Sequence, residues 1–166
     1  MIPEVGGAVE EAVFCNGRRA TIVGTDGDDI LIGTDGDDVI VGLGGFDQIW
    51  GLDGNDTICG GDNRDKIHGG DGRDTIFGEN GRDVLLGERG RDTIFGGGSR
   101  DRIKGGPGAD MIAGQGGPDR LAGNTGTDTV KGNRGNDLID GGFGADSCIG
   151  GEGLDRLTAT CETLRR

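Results

Sequence analysis

The chain has 166 residues, a length that fits one domain. It contains 40 glycines but only three prolines, and its 30 acidic and 17 basic side chains leave a net charge of −13. So much glycine is typical of collagen or of disordered chains, but a collagen chain would need far more proline. The acidic balance argues against nucleic acid or an anionic membrane as a partner.

Residues 1–19 precede a repetitive stretch and are predicted to form an N-terminal cap segment, because the open ends of repeat arrays need covering. They contain no basic leader followed by an apolar stretch and no apolar run long enough to cross a bilayer. We therefore expect no signal peptide and no membrane span in the chain as given. Residues 159–166 follow the repeats and are predicted to form a C-terminal cap or tail.

Residues 20–158 repeat a nine-residue unit, seen clearly in residues 69–77. We number its positions from the glycine that opens each copy from Gly24 to Gly150. The sixth position is always aspartate, and the eighth is aliphatic in every copy except at Cys148. A period of nine excludes collagen, in which glycine recurs at every third residue. The sixth-position aspartates are Asp29, Asp38, Asp47, Asp56, Asp65, Asp74, Asp83, Asp92, Asp101, Asp110, Asp119, Asp128, Asp137, Asp146 and Asp155.

The unit reads Gly-Gly-x-Gly-x-Asp-x-U-x, in which U is a large aliphatic residue. It resembles the hemolysin-type calcium-binding repeat of RTX proteins, and the resemblance covers roughly residues 20–158. The resemblance implies an all-β fold, a right-handed parallel β-roll solenoid with two repeats per coil. Six residues of each repeat would turn and three would form a strand, with calcium between loops stacked on the same edge.

The residue types support this interpretation independently. Glycine at the first and fourth positions permits the positive φ of a tight turn, and a mostly β-branched eighth position favours a strand. Aspartate supplies the hard oxygen that suits calcium rather than zinc or copper. The alternative is that each aspartate only caps a turn, but a plain turn would accept Asn or Ser in some of the copies.

Calcium is predicted to bind at multiple sites, through the sixth-position aspartates, the third-position aspartates and loop carbonyls. Stacked coils place equivalent aspartates about 5 Å apart, where like charges repel by about 3 kcal/mol at an effective dielectric constant of about 20. Divalent cations between the loops would turn this repulsion into attraction. The acidic loops between residues 26 and 76 are expected to bind best. The third-position aspartates are Asp26, Asp35, Asp53, Asp62 and Asp71.

Arginine precedes the repeat aspartate in five middle copies, at Arg64, Arg73, Arg82, Arg91 and Arg100. These side chains are predicted to point outward and to neutralise part of the aspartate columns. Alternatively, they pair with the aspartates and replace calcium in some loops.

The four cysteines are predicted to form disulfides, since no Cys-x-x-Cys spacing suggests a zinc site. Three pairings exist, and we favour Cys15–Cys59 and Cys148–Cys161, which would staple the two ends of the repeat array. Buried free thiols are the alternative. Disulfides imply an oxidising, extracellular setting, so the chain is predicted to be secreted.

The outward strand residues fall on two faces of the predicted solenoid. One face is nearly uncharged, and we term it the Thr/Phe face after Thr57, Thr75, Phe77, Thr93 and Phe95. It is predicted to be a contact surface for self-association or for a protein partner. The alternative is that threonine and phenylalanine are simply residues that strands favour. The other face is mixed in character and basic in its middle.

The chain is predicted not to be an enzyme. It has one histidine, His68, no tyrosine, and no serine or cysteine in the context of a nucleophile. The prediction is therefore a secreted RTX-like β-roll that binds calcium and is folded or stabilised by it. The alternative is a structural or adhesive solenoid that self-assembles through the Thr/Phe face, with Arg–Asp pairs replacing some calcium sites.

Overall fold

The computed structural model of the protein describes residues 11–158 and 160–165. These residues contain strands and turns but no helix, so the predicted all-β fold is confirmed. The strands stack in parallel into a β-solenoid of about eight turns. Within the described residues, no helix has the length and apolarity needed to cross a membrane.

Two sheets form the sides of the solenoid, and a short antiparallel hairpin precedes them. The hairpin comprises β1 (Phe14–Cys15) and β2 (Arg18–Arg19). The nine-stranded sheet comprises β3 (Ile22–Val23), β5 (Val39–Gly44), β7 (Thr57–Asp62), β9 (Thr75–Asn80), β11 (Thr93–Gly98), β13 (Met111–Gly116), β15 (Thr129–Arg134), β17 (Asp146–Glu152) and β19 (Cys161–Arg165). The eight-stranded sheet comprises β4 (Ile30–Ile32), β6 (Gln48–Asp53), β8 (Lys66–Gly72), β10 (Val84–Gly90), β12 (Arg102–Gly108), β14 (Arg120–Gly126), β16 (Leu138–Phe143) and β18 (Arg156–Leu157).

Along the repeats, each strand pairs in parallel with the strand 18 residues further along, so two repeats complete one coil. Ile76 lies opposite Ile94 in one sheet, for example, and Ile67 lies opposite Leu85 in the other. Most strands contain six or seven residues rather than the three that were expected. The reason is that backbone pairing between coils continues into the opening positions of the next repeat, as between Gly98 and Gly116.

The eighth-position side chains form the core, one column of small and aliphatic residues between the two sheets. From Ile40 to Cys148, each of them is at most 2 % exposed. Ile22, Leu31 and Leu157, near the two ends, are only partly buried. Because the core takes one side chain from every nine residues, the fold depends heavily on interactions made within the loops.

The first-position glycine is required by close packing rather than by positive φ. A Cβ atom added at Gly96 would lie 2.6 Å from the carbonyl oxygen of Gly114 and 2.7 Å from Oδ2 of Asp101. Positive φ occurs instead at the second and fourth positions of most repeats, where it includes Leu43 and Ser99. The expectation of positive φ at the first position was therefore wrong, because the constraint there is the backbone of the next coil.

The hairpin lies against the outer side of the nine-stranded sheet. Cys15 packs with Val39, Val41 and Cys59 in a small cluster outside the main core. The described part of the predicted cap thus contacts the side of the solenoid, and its role as a cap over the first coil stays a prediction. Residues 1–10 of that predicted segment lie outside the described residues.

The hairpin also covers the start of the Thr/Phe face. The Arg18 guanidinium donates a hydrogen bond of 2.7 Å to the hydroxyl of Thr57. Further along this face, the rings of Phe77 and Phe95 stack with centroids 5.0 Å apart. A partner for this face stays a prediction.

The structure joins Cys15 to Cys59 and Cys148 to Cys161, the two pairings that the sequence analysis favoured. The first disulfide ties the hairpin to the nine-stranded sheet. The second fixes the tail, because β19 pairs in parallel with β17 and extends that sheet by one strand. Both ends of the repeat array are therefore held covalently.

Gly96 and Gly98 provide a matched test of the close-packing constraint. Gly96→Ala is expected to lower the free energy of unfolding by about 1–3 kcal/mol, because its Cβ atom meets packed backbone. Gly98→Ala should change it by less than about 1 kcal/mol, since the nearest atom is Oδ1 of Asn80 at 3.9 Å. Urea unfolding in saturating calcium measures both changes. Equal losses in the two variants would contradict the constraint.

Candidate metal centre

The sixth-position aspartates form two columns, one along each edge of the solenoid, because equivalent residues recur every 18 positions. Each aspartate lies immediately before or at the start of a strand and precedes a core residue by two positions. The first column contains Asp29, Asp47, Asp65, Asp83, Asp101, Asp119, Asp137 and Asp155. The second column contains Asp38, Asp56, Asp74, Asp92, Asp110, Asp128 and Asp146. All of them are buried except Asp29 and Asp155, which are half-buried.

One carboxylate oxygen of each column aspartate, from Asp47 onward, joins two coils. The backbone N–H of Asp65, for example, donates a hydrogen bond of 2.8 Å to Oδ1 of Asp83. Thirteen such bonds, each 2.8–3.0 Å long, run along the two columns. The aspartate is therefore part of the fold itself, a role beyond the turn cap that sequence reasoning considered.

The other carboxylate oxygen has no partner in most of the repeats. Twelve Oδ2 atoms are buried without a hydrogen bond, one on each column aspartate from Asp47 to Asp146. A buried polar atom left unsatisfied costs about 1–3 kcal/mol, and more when it is charged. An array of twelve such atoms calls for a positively charged partner inside the loops.

Burial raises the pKa of the column carboxyl groups from Asp47 to Asp137. The pKa of Asp83 is raised to about 8 by burial, with a smaller contribution from the neighbouring Asp101 and Asp65 charges. Burial likewise raises the pKa of Asp74 to about 7 and that of Asp92 to about 6. Without a cation, the ionised form of the columns is therefore unfavourable near neutral pH.

The first two loops differ from the others because a threonine satisfies the second oxygen. In the loop of Asp38, the backbone N–H and hydroxyl of Thr34 donate hydrogen bonds of 2.7 and 2.9 Å to Oδ2. Thr25 makes the same two bonds to Asp29. Burial tends to raise the pKa of Asp38, but the bonds from Thr34 and Thr21 outweigh it, and the pKa is lowered.

These two threonines were not singled out by sequence reasoning. The available signal was the shared string Thr-Asp-Gly-Asp-Asp, which occurs in the first two loops and in no later one. From Leu43 onward the second position has positive φ, and no side chain there donates a hydrogen bond to Oδ2 of a column aspartate from Asp47 to Asp146. The unsatisfied oxygens thus begin at Asp47 and extend well beyond residue 76, the limit of the region expected to bind best.

The third-position aspartates lie apart from the columns. Asp26, Asp35, Asp53, Asp62 and Asp71 are all exposed. Within the described residues, no group of three or more acidic, histidine or cysteine side chains is placed to hold one ion. A calcium ion here would need backbone carbonyls or water to complete the six to eight oxygen ligands that it takes. The ligand roles of all the predicted aspartates stay predictions.

The fifth-position arginines form no ion pair with the columns in the described part of the chain. Burial raises the pKa of Asp83 and Asp119, and the charges of Arg64 and Arg100 lower it only as the smallest of several contributions. In the described part of the chain, the ion pairs are His68–Glu88, Arg89–Asp71 and Arg134–Glu152, and no column aspartate takes part in one. Replacement of calcium by Arg–Asp pairing therefore has no contact to support it. The columns present oxygen atoms only, a donor set that suits calcium better than zinc or copper.

Comparison with known families agrees with this donor set. A family model described as RTX calcium-binding nonapeptide repeat (4 copies) matches residues 16–49, 32–67, 60–94, 86–121 and 122–157. The matched segments together cover most of the chain, including every coil of the solenoid. A comparison with curated proteins finds none that matches.

The raised pKa values predict how the stability of the metal-free protein depends on pH. Because burial lifts the pKa of Asp83 to about 8 and that of Asp74 to about 7, the folded state binds protons more tightly than the unfolded state. Metal-free stability is therefore expected to fall as pH rises from about 5 to about 8. Calcium binds the ionised form, so excess calcium should flatten or reverse this trend.

Urea unfolding in metal-free buffers across this pH range, followed by circular dichroism, measures the trend. The same series in excess calcium is the control. A metal-free midpoint that rises with pH would show that the buried carboxylates are stabilised as anions without any metal.

Proposed function

The chain belongs to the family of RTX calcium-binding nonapeptide repeat proteins, and on that premise we propose that it is a secreted calcium-binding module. Its solenoid folds, or is stabilised, when calcium enters the aspartate columns. The observation that carries this proposal is the row of twelve buried Oδ2 atoms without a partner. A divalent cation supplies the charge that these atoms need.

Calcium and folding are coupled in this proposal because the protein-only interactions are incomplete. From Asp47 to Asp146, each coil buries two core side chains and also two carboxylates, of which one oxygen each is unsatisfied. A ligand that binds the folded state and not the unfolded state stabilises the folded state, and the stabilisation grows with the logarithm of its concentration above Kd. Calcium would therefore shift the chain toward the solenoid without changing its hydrogen-bonded framework.

The proposed ligands are the column aspartates from Asp47 to Asp146, completed by loop carbonyls and water. The loops of Asp29 and Asp38 are assigned a metal-independent role, since Thr25 and Thr34 already satisfy their Oδ2 atoms. The exposed third-position aspartates contribute mainly negative charge around the loops. Several ions per chain follow from the repetition of the same environment.

Secretion is part of the proposal and is supported by the two disulfides. Disulfides persist in oxidising compartments. Extracellular calcium modules typically bind in the range of about 10⁻⁴–10⁻³ M, so such a module would fill outside the cell and remain empty in the cytosol.

We also propose that the chain is not an enzyme. His68, its only histidine, stacks on Trp50 with ring centroids 5.7 Å apart. Its Nδ1 lies 2.7 Å from Oε1 of Glu88. These contacts give the histidine a structural setting on the eight-stranded sheet rather than a place beside a nucleophile.

A calcium titration tests the coupling directly. Circular dichroism and Trp50 fluorescence are expected to report the formation or tightening of β-structure as calcium is added to metal-free protein. Magnesium should produce a much weaker response, because it requires a smaller and more regular octahedral site. Full β-structure in excess chelator, unchanged by calcium in its signal and in its unfolding midpoint, would refute the proposal.

Asp83→Asn separates the two roles of the column carboxylate. An asparagine retains an oxygen that can accept the hydrogen bond from the Asp65 N–H, but it removes the buried charge. The variant should be more stable than the original chain without metal at pH 8, and less stable in saturating calcium. We expect each difference to be about 1–3 kcal/mol, with fewer calcium ions bound per chain.

Asp38→Asn is the matched control. It should lose stability in both conditions, because an asparagine nitrogen could then face the Thr34 donors, but its calcium stoichiometry should not change. Isothermal titration calorimetry counts the ions, and urea unfolding gives the stabilities. A fall in stoichiometry for Asp38→Asn, with none for Asp83→Asn, would contradict the assignment of the ligands.

A further inference from the structure

A row of basic side chains borders the first aspartate column in the middle of the solenoid. The fifth-position and seventh-position residues flank each buried aspartate, and on this edge all of them are exposed except the half-buried Val84. Strand pairing places them one coil apart, so Arg102 lies directly opposite Arg120. We call this feature the basic groove and define it by Arg64, Lys66, Arg82, Arg100, Arg102 and Arg120.

The side chains of the basic groove enclose a real depression. A cavity of about 330 Å³ is lined by five of the six, together with Asp83, Val84 and Asp101. A second cavity, of about 400 Å³, adjoins it at Arg64 and Val84 and is also lined by Lys66. The groove therefore runs along the solenoid axis over several coils. Its basic residues follow the strand spacing of about 4.8 Å, with one interruption at Val84, which lies between Lys66 and Arg102.

The charges of the basic groove are not compensated within the described part of the chain. None of the three ion pairs there includes a residue of the groove. Asp83 and Asp101 line the cavity, but their Oδ2 atoms are buried away from solvent and their Oδ1 atoms accept backbone N–H bonds. In a chain of net charge −13, arginines that served only to neutralise nearby carboxylates would be expected to form ion pairs with them. The arginines of the basic groove form none in the described part of the chain.

The opposite edge lacks this arrangement. There the fifth-position arginines Arg73 and Arg91 are followed by Thr75 and Thr93 at the seventh position. Basic residues thus occupy both sides of the aspartate column on one edge only. This asymmetry indicates a ligand-binding function, because a general need to neutralise the columns would apply to both edges equally.

We propose that the basic groove binds an acidic polysaccharide, extended along the solenoid axis, through its carboxylate or sulfate groups. The planar guanidinium group donates two parallel hydrogen bonds to such anions. A groove with regularly spaced cations fits a linear chain with regularly spaced anions. Nucleic acid is disfavoured, because among the described residues the cavity around Arg82 and Arg100 has no aromatic side chain on which a base could stack, and Phe46 is the only aromatic residue that borders the adjoining cavity.

This inference does not depend on the calcium proposal, and the two can fail separately. Calcium in the columns would make the edge less negative, and so would strengthen polyanion binding without providing the contacts. Binding should therefore be measured at one calcium concentration at which circular dichroism shows the folded solenoid. Affinity should fall with added salt, as expected for exposed charges.

The test compares two double variants with the same change in composition and net charge. Arg82→Gln with Arg100→Gln removes two cations from the basic groove, whereas Arg73→Gln with Arg91→Gln removes two from the opposite edge. Binding to immobilised heparin and polygalacturonate is measured, with dextran as the uncharged control. The groove variant should bind roughly tenfold more weakly than the original chain, and the opposite-edge variant should stay within about twofold.

Binding to either acidic polymer supports the proposal. Binding to heparin without binding to polygalacturonate identifies sulfate as the recognised group, and binding to polygalacturonate shows that carboxylate suffices. Circular dichroism and calcium stoichiometry confirm that both variants remain folded. Equal weakening by the two variants would reduce the effect to net charge and overturn the proposal. Tighter binding to single-stranded DNA than to either polysaccharide, or no binding to any of these polymers, would also overturn it.

Discussion

The fold depends on a carboxylate that is buried in every repeat and only half satisfied by the protein. Oδ1 of each column aspartate from Asp47 onward accepts a backbone N–H from the preceding coil, which holds the stacked loops in register. Oδ2 of most of these side chains is buried with no partner. The same residue is thus indispensable to the framework and a source of instability within it. Under the proposed function, calcium resolves this conflict, so that the element which aligns the coils also makes their stability depend on a metal.

The sequence pattern around the aspartate follows from the same packing. The carboxylate lies so close to the first-position glycine that a Cβ atom there would meet both Oδ2 and the backbone of the next coil, as at Gly96. The second position tolerates Leu43, Glu79 and Asn124 in spite of positive φ. It is glycine in other copies where the preceding coil is close, since a Cβ atom added at Gly97 would meet the backbone of Glu79. The first position meets such close contacts in every copy and never varies, whereas the second does. Glycine thus occurs at the first and second positions of the repeat for different physical reasons, although the two positions look alike in the consensus.

The periodicity was sufficient to predict the stacked parallel strands, the eighth-position core and the sorting of side chains onto two faces. The disulfide pairings could also be favoured, since Cys59 lies on an outward face and Cys148 lies in the core. The packing of the hairpin against Val39 and Val41 could not be predicted, because the repeat pattern treats these two residues as ordinary strand positions. The hydrogen bonds of Thr25 and Thr34 also escaped prediction, since they depend on a local backbone conformation that differs from the other loops.

The threonine loops make physical sense at the end of a solenoid. Under the proposed function, a cation shared between stacked loops needs a loop on each side, and within the described residues the loops of Asp29 and Asp38 are the first on their edges. Thr25 and Thr34 satisfy Asp29 and Asp38 from within the same loop, so the second oxygen of these two carboxylates needs no metal. Each later loop from Asp47 to Asp146 adds one unsatisfied carboxylate oxygen to the stack. The coil of Asp29 and Asp38 should therefore depend less on calcium than the coils that follow it.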